Sequence, residues 1–196
     1  MSLTQPPSQT PSQTVGPYFA YGLVPTQYGY DFPSLWGPDL AEPWAKGERL
    51  TLCGKVFDGQ GQPMLDALLE IRQADPQGLP IDTPAQARRL GFLGFGRMGT
   101  GSRPDHQFVF RTLRPGRSPD GQAPHIDVIL TLRGLLNHLF TRIYFEDDAP
   151  LHASDPLLQA IPEARRATLI ARREAPGAYR FDIHLQGPHE TVFLDV

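Results

Sequence analysis

Cysteine is almost absent: Cys53 is the single one in 196 residues, so no disulfide can form within the chain. That suits a reducing compartment, and a cytoplasmic location is expected. Long apolar runs are missing as well. The uncharged apolar run Val128–Leu132 falls far short of the ~20 residues that a bilayer-spanning helix needs. The opening residues, MSLTQPPSQTPSQT, contain neither the basic nor the apolar segment of a secretory leader, so none is expected. Basic residues gather no further than pairs such as Arg165-Arg166 and Arg172-Arg173, each near acidic residues, and the formal net charge is −3. Nucleic acid as the main partner is therefore disfavoured. No G-x-G-x-x-G, P-loop or G-x-S-x-G sequence occurs, which removes those routes to nucleotide binding and to a serine nucleophile.

What the chain does contain is punctuation. With 21 prolines and 19 glycines, long helices are excluded, and short strands with many turns are expected. Hydrophobic residues make up 40% and charged residues 20%, a balance that closes a core and excludes wholesale disorder. At roughly 150 residues per domain the length predicts one domain, placed at residues 12–196. Residues 1–11 form a polar, proline-rich arm, expected to be disordered or ordered by a partner. Residues 12–46 read as an extended strap carrying Tyr18, Phe19, Tyr21, Tyr28, Tyr30, Phe32, Trp36 and Trp44 without periodicity. Such a strap either covers this chain's own core or packs on another surface.

Apolar alternation predicts strands at residues 49–58, 67–75, 106–112, 126–132, 139–146, 169–174, 179–185 and 191–194. Residues 76–105 make an unusually long connection, and the glycine-rich stretch 91–97 inside it reads as a loop. One short helix is expected from Pro156 to about Arg166, capped by Ser154 or Asp155 and interrupted at Pro162. The expected fold is all-β: a two-sheet β-sandwich with an extended N-terminal arm and at most one or two short helices.

None of the six histidines (His106, His125, His138, His152, His184, His189) sits in a zinc or metalloprotease spacing. Two pairs place a histidine and a carboxylate on one strand face: His125 with Asp127, and Asp182 with His184. Either pair could contribute to a metal site or make a structural hydrogen bond. Cys53 falls in a strand pattern, where a small buried hydrophobe is expected. The residues taken alone give no self-sufficient active site.

Several segments, in order and spacing, carry a resemblance: PSQTVGPY (11–18), GKVFDGQGQPMLDALLEIRQAD (54–75), FGRMGT (95–100), FRTLRPG (110–116), APHIDVIL (123–130), TRIYFEDD (141–148) and RFDIHLQGPHETVFLDV (180–196). Together they resemble the intradiol ring-cleaving dioxygenases, in particular members built from alpha and beta chains that act on protocatechuate. The resemblance implies a ferric, non-haem enzyme that binds a catecholate, admits dioxygen and splits the bond between the two hydroxyl-bearing carbons. It also implies iron held by two tyrosines and by two histidines of a Pro-x-His-x-His strand. Here His125 matches the first histidine, Asp127 stands at the second, and no tyrosine occurs from Asp31 through Ile143. Gln122 replaces the arginine that precedes the first histidine in catalytic chains.

His125 and Asp127 are then relict positions, and Fe(III) is expected on a homologous beta subunit, with no metal and no catalytic residue in this chain. What the resemblance assigns to this chain is the wall of the partner's pocket: Thr14, Gly16, Pro17 and Tyr18 from the strap, and Arg133 after the degenerate strand. Gly16-Pro17 offers a stiff, closely approaching backbone, Tyr18 a rigid aromatic, Thr14 a hydroxyl and Arg133 a partner for a carboxylate. Thr14, Tyr18 and Arg133 could alternatively serve only subunit packing or a salt bridge. A homomeric catechol dioxygenase, a non-catalytic binder of small aromatic acids and a pure scaffold subunit are the remaining alternatives.

Overall fold

The computed structural model describes residues 13–16 and 18–195. The expected arm at 1–11, Pro17 and the side chain of Tyr18 lie outside what is described. The described residues form ten strands: β1 Arg49–Gly54, β2 Val56–Phe57, β3 Leu68–Gln73, β4 Phe95–Gly99, β5 Phe108–Leu113, β6 His125–Thr131, β7 Leu139–Phe145, β8 Ile170–Ala175, β9 Ala178–Arg180 and β10 Ile183–His184. β10 pairs only with β2. The other eight strands run in the order β4-β3-β6-β7-β8-β9-β1-β5.

The strand-rich expectation holds, but two separate sheets do not form. β8 lies beside β7 through Ile170 and Ala171 and then beside β9 from Arg172 onward, so a single mixed sheet passes from one half to the other. The two end strands, β4 and β5, approach each other and nearly close the sheet. Between the halves lies one apolar core, drawn from β1 (Leu50, Leu52), β3 (Leu69, Ile71), β5 (Phe108, Phe110), β6 (Ile126, Val128, Leu130) and β7 (Ile143, Phe145). Period-two alternation sends these side chains inward and leaves His125, Asp127 and Ile129 on the outer face of β6.

Helical turns are more numerous than the one or two expected. The described residues contain α1 Tyr18–Leu23, α2 Pro84–Leu90, α3 Ala149–His152, α4 Pro156–Ala160 and α5 Glu163–Arg166. Proline or glycine bounds two of these short helices at their C-terminal ends, Gly91 after α2 and Pro162 after α4. α2 starts at Thr83, whose hydroxyl accepts from the Gln86 amide, and ends at Gly91 in the left-handed region. The expected 156–166 helix is split at Pro162 into α4 and α5, with Asp155 as the cap of α4. The strap is helical over α1 and in a 3-10 turn at Pro25–Tyr28, and irregular beyond, where an extended segment was expected throughout.

Strand β4 was missed because its glycines argue for a loop. Gly96 has a different reason to be there: a Cβ at that position would lie 2.5 Å from Leu40 Cδ1, where the strap crosses the strand. Residues 191–194 form no strand and keep only an isolated bridge between Leu194 and Phe140. Cys53, expected to be buried, points to the outer face of β1 and is half-buried. Burial still pushes its thiol up, against the pull of Arg180.

A second, smaller core lies on the outer side of β6 and β7, where Tyr144 meets Ala123, Leu158, Ile161 and Leu169. Asp155, fully buried, organises it. Its carboxylate accepts the Ala123 amide at 2.8 Å, the Tyr144 hydroxyl at 3.0 Å and the Leu158 amide at 3.0 Å. Asp155→Ala strands all three donors, so equilibrium denaturation should show a loss of about 3 kcal/mol or more; a loss within a few tenths would mean that the three bonds are not organising this region.

Candidate functional site

Two places gather the residues singled out from the sequence. The first is the outer face of β6 and β7. Antiparallel pairing sets His125 opposite Tyr144 and Asp127 opposite Arg142, so all four side chains leave the same side of the sheet. His125 lies against the Tyr144 ring at 5.9 Å between centroids, and its Nδ1 is 2.7 Å from the Ala123 carbonyl oxygen. Because a carbonyl can only accept, Nδ1 carries the proton and Nε2 presents a lone pair. Arg142 donates through Nε to Asp127 Oδ1 at 2.7 Å and through Nη1 to Gln122 Oε1 at 2.6 Å.

Ferric iron of the kind the sequence resemblance implies calls for hard anionic oxygens, and this face does not provide them. The one tyrosine there, Tyr144, is tied to Asp155, and burial holds its phenol far above the usual value. The carboxylate of Asp127 is engaged by Arg142. Among the described residues, no group of three or more His, Cys, Asp or Glu side chains is placed to hold a metal. The other pair is used structurally: Asp182 accepts the Lys55 amide at 2.9 Å, and the His184 ring stacks on Phe57.

The second place is the corner where the strap meets the turn after β6. Thr14 Oγ1 accepts the Gly134 amide at 2.7 Å, which joins two segments far apart in sequence. Beside it, Arg133 Nε donates to Asp66 Oδ2 at 2.5 Å, and its side chain is 59% exposed. A pocket of about 220 Å³ sits here, lined by Phe19, Tyr21, Gln27, Tyr28, Asp66 and Arg133 among others. Gly16 is exposed, with open space where a Cβ would stand. Thr14, Gly16 and Arg133 thus share one exposed edge, whereas His125 and Asp127 lie on the sheet face and are not part of it.

Two side chains important to these places, and the further role of a third, escaped the sequence reading. Arg142 could have been found from alternation, since it stands two residues before Tyr144 in the same strand. Asp155 was expected as a helix cap, but its bond to Tyr144 needs the third dimension. Asp66 gives no local signal, because its partner is 67 residues away.

Comparison with known proteins adds a family. The model described as Dioxygenase matches residues 38–187. The chain is 53% identical to the protocatechuate 3,4-dioxygenase alpha chain of Burkholderia cepacia, over 96% of this chain and 98% of that one. It is also 34% identical to the protocatechuate 3,4-dioxygenase beta chain of Burkholderia cepacia, over 74% of this chain and 67% of that one. Among solved structures, the dioxygenase domain of a dioxygenase carbohydrate-binding protein fusion from Streptomyces sp. SirexAA-E superposes with a TM-score of 0.60 at 26% identity, covering 93% of this chain and 100% of that one.

Burial, reinforced by the Arg142 charge, holds the His125 imidazole below its ordinary value, and burial does the same for His152. Both are neutral when folded at pH values where the unfolded chain, with its imidazoles near 6.5, binds protons. Stability should therefore be unaffected well above that value and decline as pH falls from it toward the lowered folded values. Denaturation curves measured across this window should show that slope, and His125→Gln should flatten it; an unchanged slope would place the titration elsewhere.

Proposed function

The chain belongs to the intradiol ring-cleaving dioxygenase family, and on that premise we propose that it is the alpha subunit, holding no iron itself, of a heteromeric enzyme that cleaves protocatechuate with dioxygen to 3-carboxy-cis,cis-muconate. The observation that carries this reading is the state of the β6–β7 face. A chain 53% identical to an alpha chain over nearly its whole length has one imidazole and one arginine-bound carboxylate where two histidines are needed. Fe(III) is assigned to a homologous beta subunit, in line with the likeness of this chain to a beta chain. A cytoplasmic location and a single domain at residues 12–196 belong to the same proposal.

In this reading Thr14, Gly16 and Arg133, on their shared edge, close the partner's pocket, and Pro17 and Tyr18 are assigned to the same wall. Asp66 engages the Arg133 Nε, and the outer nitrogens of the guanidinium are directed to the substrate's ring carboxylate. The Thr14 bond to Gly134 fixes the strap against the arginine turn, so the wall is preassembled before substrate arrives. A closed wall limits water around the reacting ring. The strap also leaves Tyr30, Phe32, Leu35, Trp36 and Trp44 exposed, an amount of apolar surface suited to a partner subunit.

Oxygen uptake with protocatechuate tests the assignment, using complex purified through a tag on this chain after co-expression with a homologous beta chain. Activity is expected in the complex and none in the chain alone; activity in the lone chain would overturn the iron assignment. Within the active complex, Arg133→Gln should raise KM for protocatechuate about tenfold or more. An unchanged KM would reduce Arg133 to a structural ion pair.

A further inference from the structure

The polar groups on the outer face of β6 and β7 converge on one positive charge. Gln122 Oε1 and Asp127 Oδ1 accept from the Arg142 guanidinium at 2.6 and 2.7 Å, and the Tyr144 hydroxyl is also within its reach. His125 completes the ring of acceptors: its Nε2 lone pair faces the second Asp127 oxygen across 4.0 Å. Two acceptors turned toward each other repel unless a cation lies nearby. Their separation is one that two bonds of about 2.1 Å to a single ion can span. The second ring nitrogen of His125 is already held by a carbonyl, the arrangement that orients metal-binding imidazoles. Amide oxygen, carboxylate, phenol and imidazole are all donor types that metal ions take.

The cation in this ring comes from the chain itself. Arg142 stands directly across the ladder from Asp127, so backbone pairing delivers its charge to the centre of the acceptors. The arginine side chain is 16% exposed and Asp127 is 47% exposed, which leaves the ring open to solvent on one side. We infer that Arg142 is a tethered cation occupying a latent metal site made by His125, Asp127, Tyr144 and Gln122, and that its guanidinium keeps divalent cations out. A guanidinium is charged at every accessible pH and cannot be exchanged with solvent. It holds Asp127 Oδ1 and repels a second positive charge placed a few ångströms away. Removing it leaves acceptors without a counter-charge, and a soluble cation can then take its place. This property resides in the chain alone and is independent of whether a partner holds iron.

The test uses the full chain with Zn2+ or Co2+ as the probe. Wild-type protein should show no metal-dependent shift in thermal midpoint and no Co2+ absorption from bound metal. Arg142→Ala should be less stable without metal and regain about 4 °C or more in saturating Zn2+, with Co2+ bound at least about tenfold more tightly than by wild type. The double variant Arg142→Ala/His125→Ala should lose both responses. Should Arg142→Ala not fold, Arg142→Gln is refolded in Zn2+ and in chelator: folding with Zn2+ alone supports the latent site, and the same result in both media overturns it. Metal binding by wild type as tight as by the variant, or a folded variant that binds none, would overturn it as well.

Discussion

Strand β8 holds the two halves of the molecule in one sheet, and every other feature depends on where it changes partner. Its first two residues complete the β4-β3-β6-β7 half and its remaining residues begin the β9-β1-β5 half. The seam is reinforced from inside by Arg114, which donates to the Tyr179 hydroxyl and, at 2.7 Å, to Asp148, while lying 4.2 Å over the Phe145 ring. One guanidinium thereby joins the end of β5, strand β9 and the turn after β7. Both members of the Arg114–Asp148 pair are 16% exposed, so the pair is shielded from screening, and each charge depends on the other. With the seam fixed, β6 and β7 present their outer face at a set angle and the turn after β6 reaches the strap.

Much of this was legible in the sequence because alternation is a local signal. Seven of the expected strands overlap a strand of the structure, and Pro162 split the helical segment where its fixed backbone predicts. What failed was non-local. Gly96 reads as a loop residue until Leu40 is seen crossing it, and Cys53 reads as core until the face it shares with Thr51 is known to point outward. The continuity of the sheet through β8 could not be read either, since it depends on which strands meet and not on how any strand is composed. The site showed the same division. The loss of ligand types at Asp127 and across the tyrosine-free stretch is a matter of residue identity, whereas the bonds from Arg142, Asp66 and Asp155 join residues that only folding brings together.

The molecule separates two roles that a self-sufficient enzyme would combine. The face of β6 and β7 is a satisfied polar network with its own positive charge, and satisfied networks rigidify. The Thr14–Arg133 edge is the opposite: exposed, and open beside Gly16. Rigidity on one side and an exposed edge on the other suit the wall-forming role proposed above.

The sheet order also has a kinetic consequence. Strand β1 lies between β5 and β9, with Leu52 beside Tyr179, so its second neighbour is made long after β1 itself. Until then β1 has a bare hydrogen-bonding edge, and the core beneath it stays open on that side. Pairing across so long a stretch of chain is slow to nucleate. Completion of the sheet therefore waits for β9, and until it emerges a nascent chain keeps that edge open to aggregation.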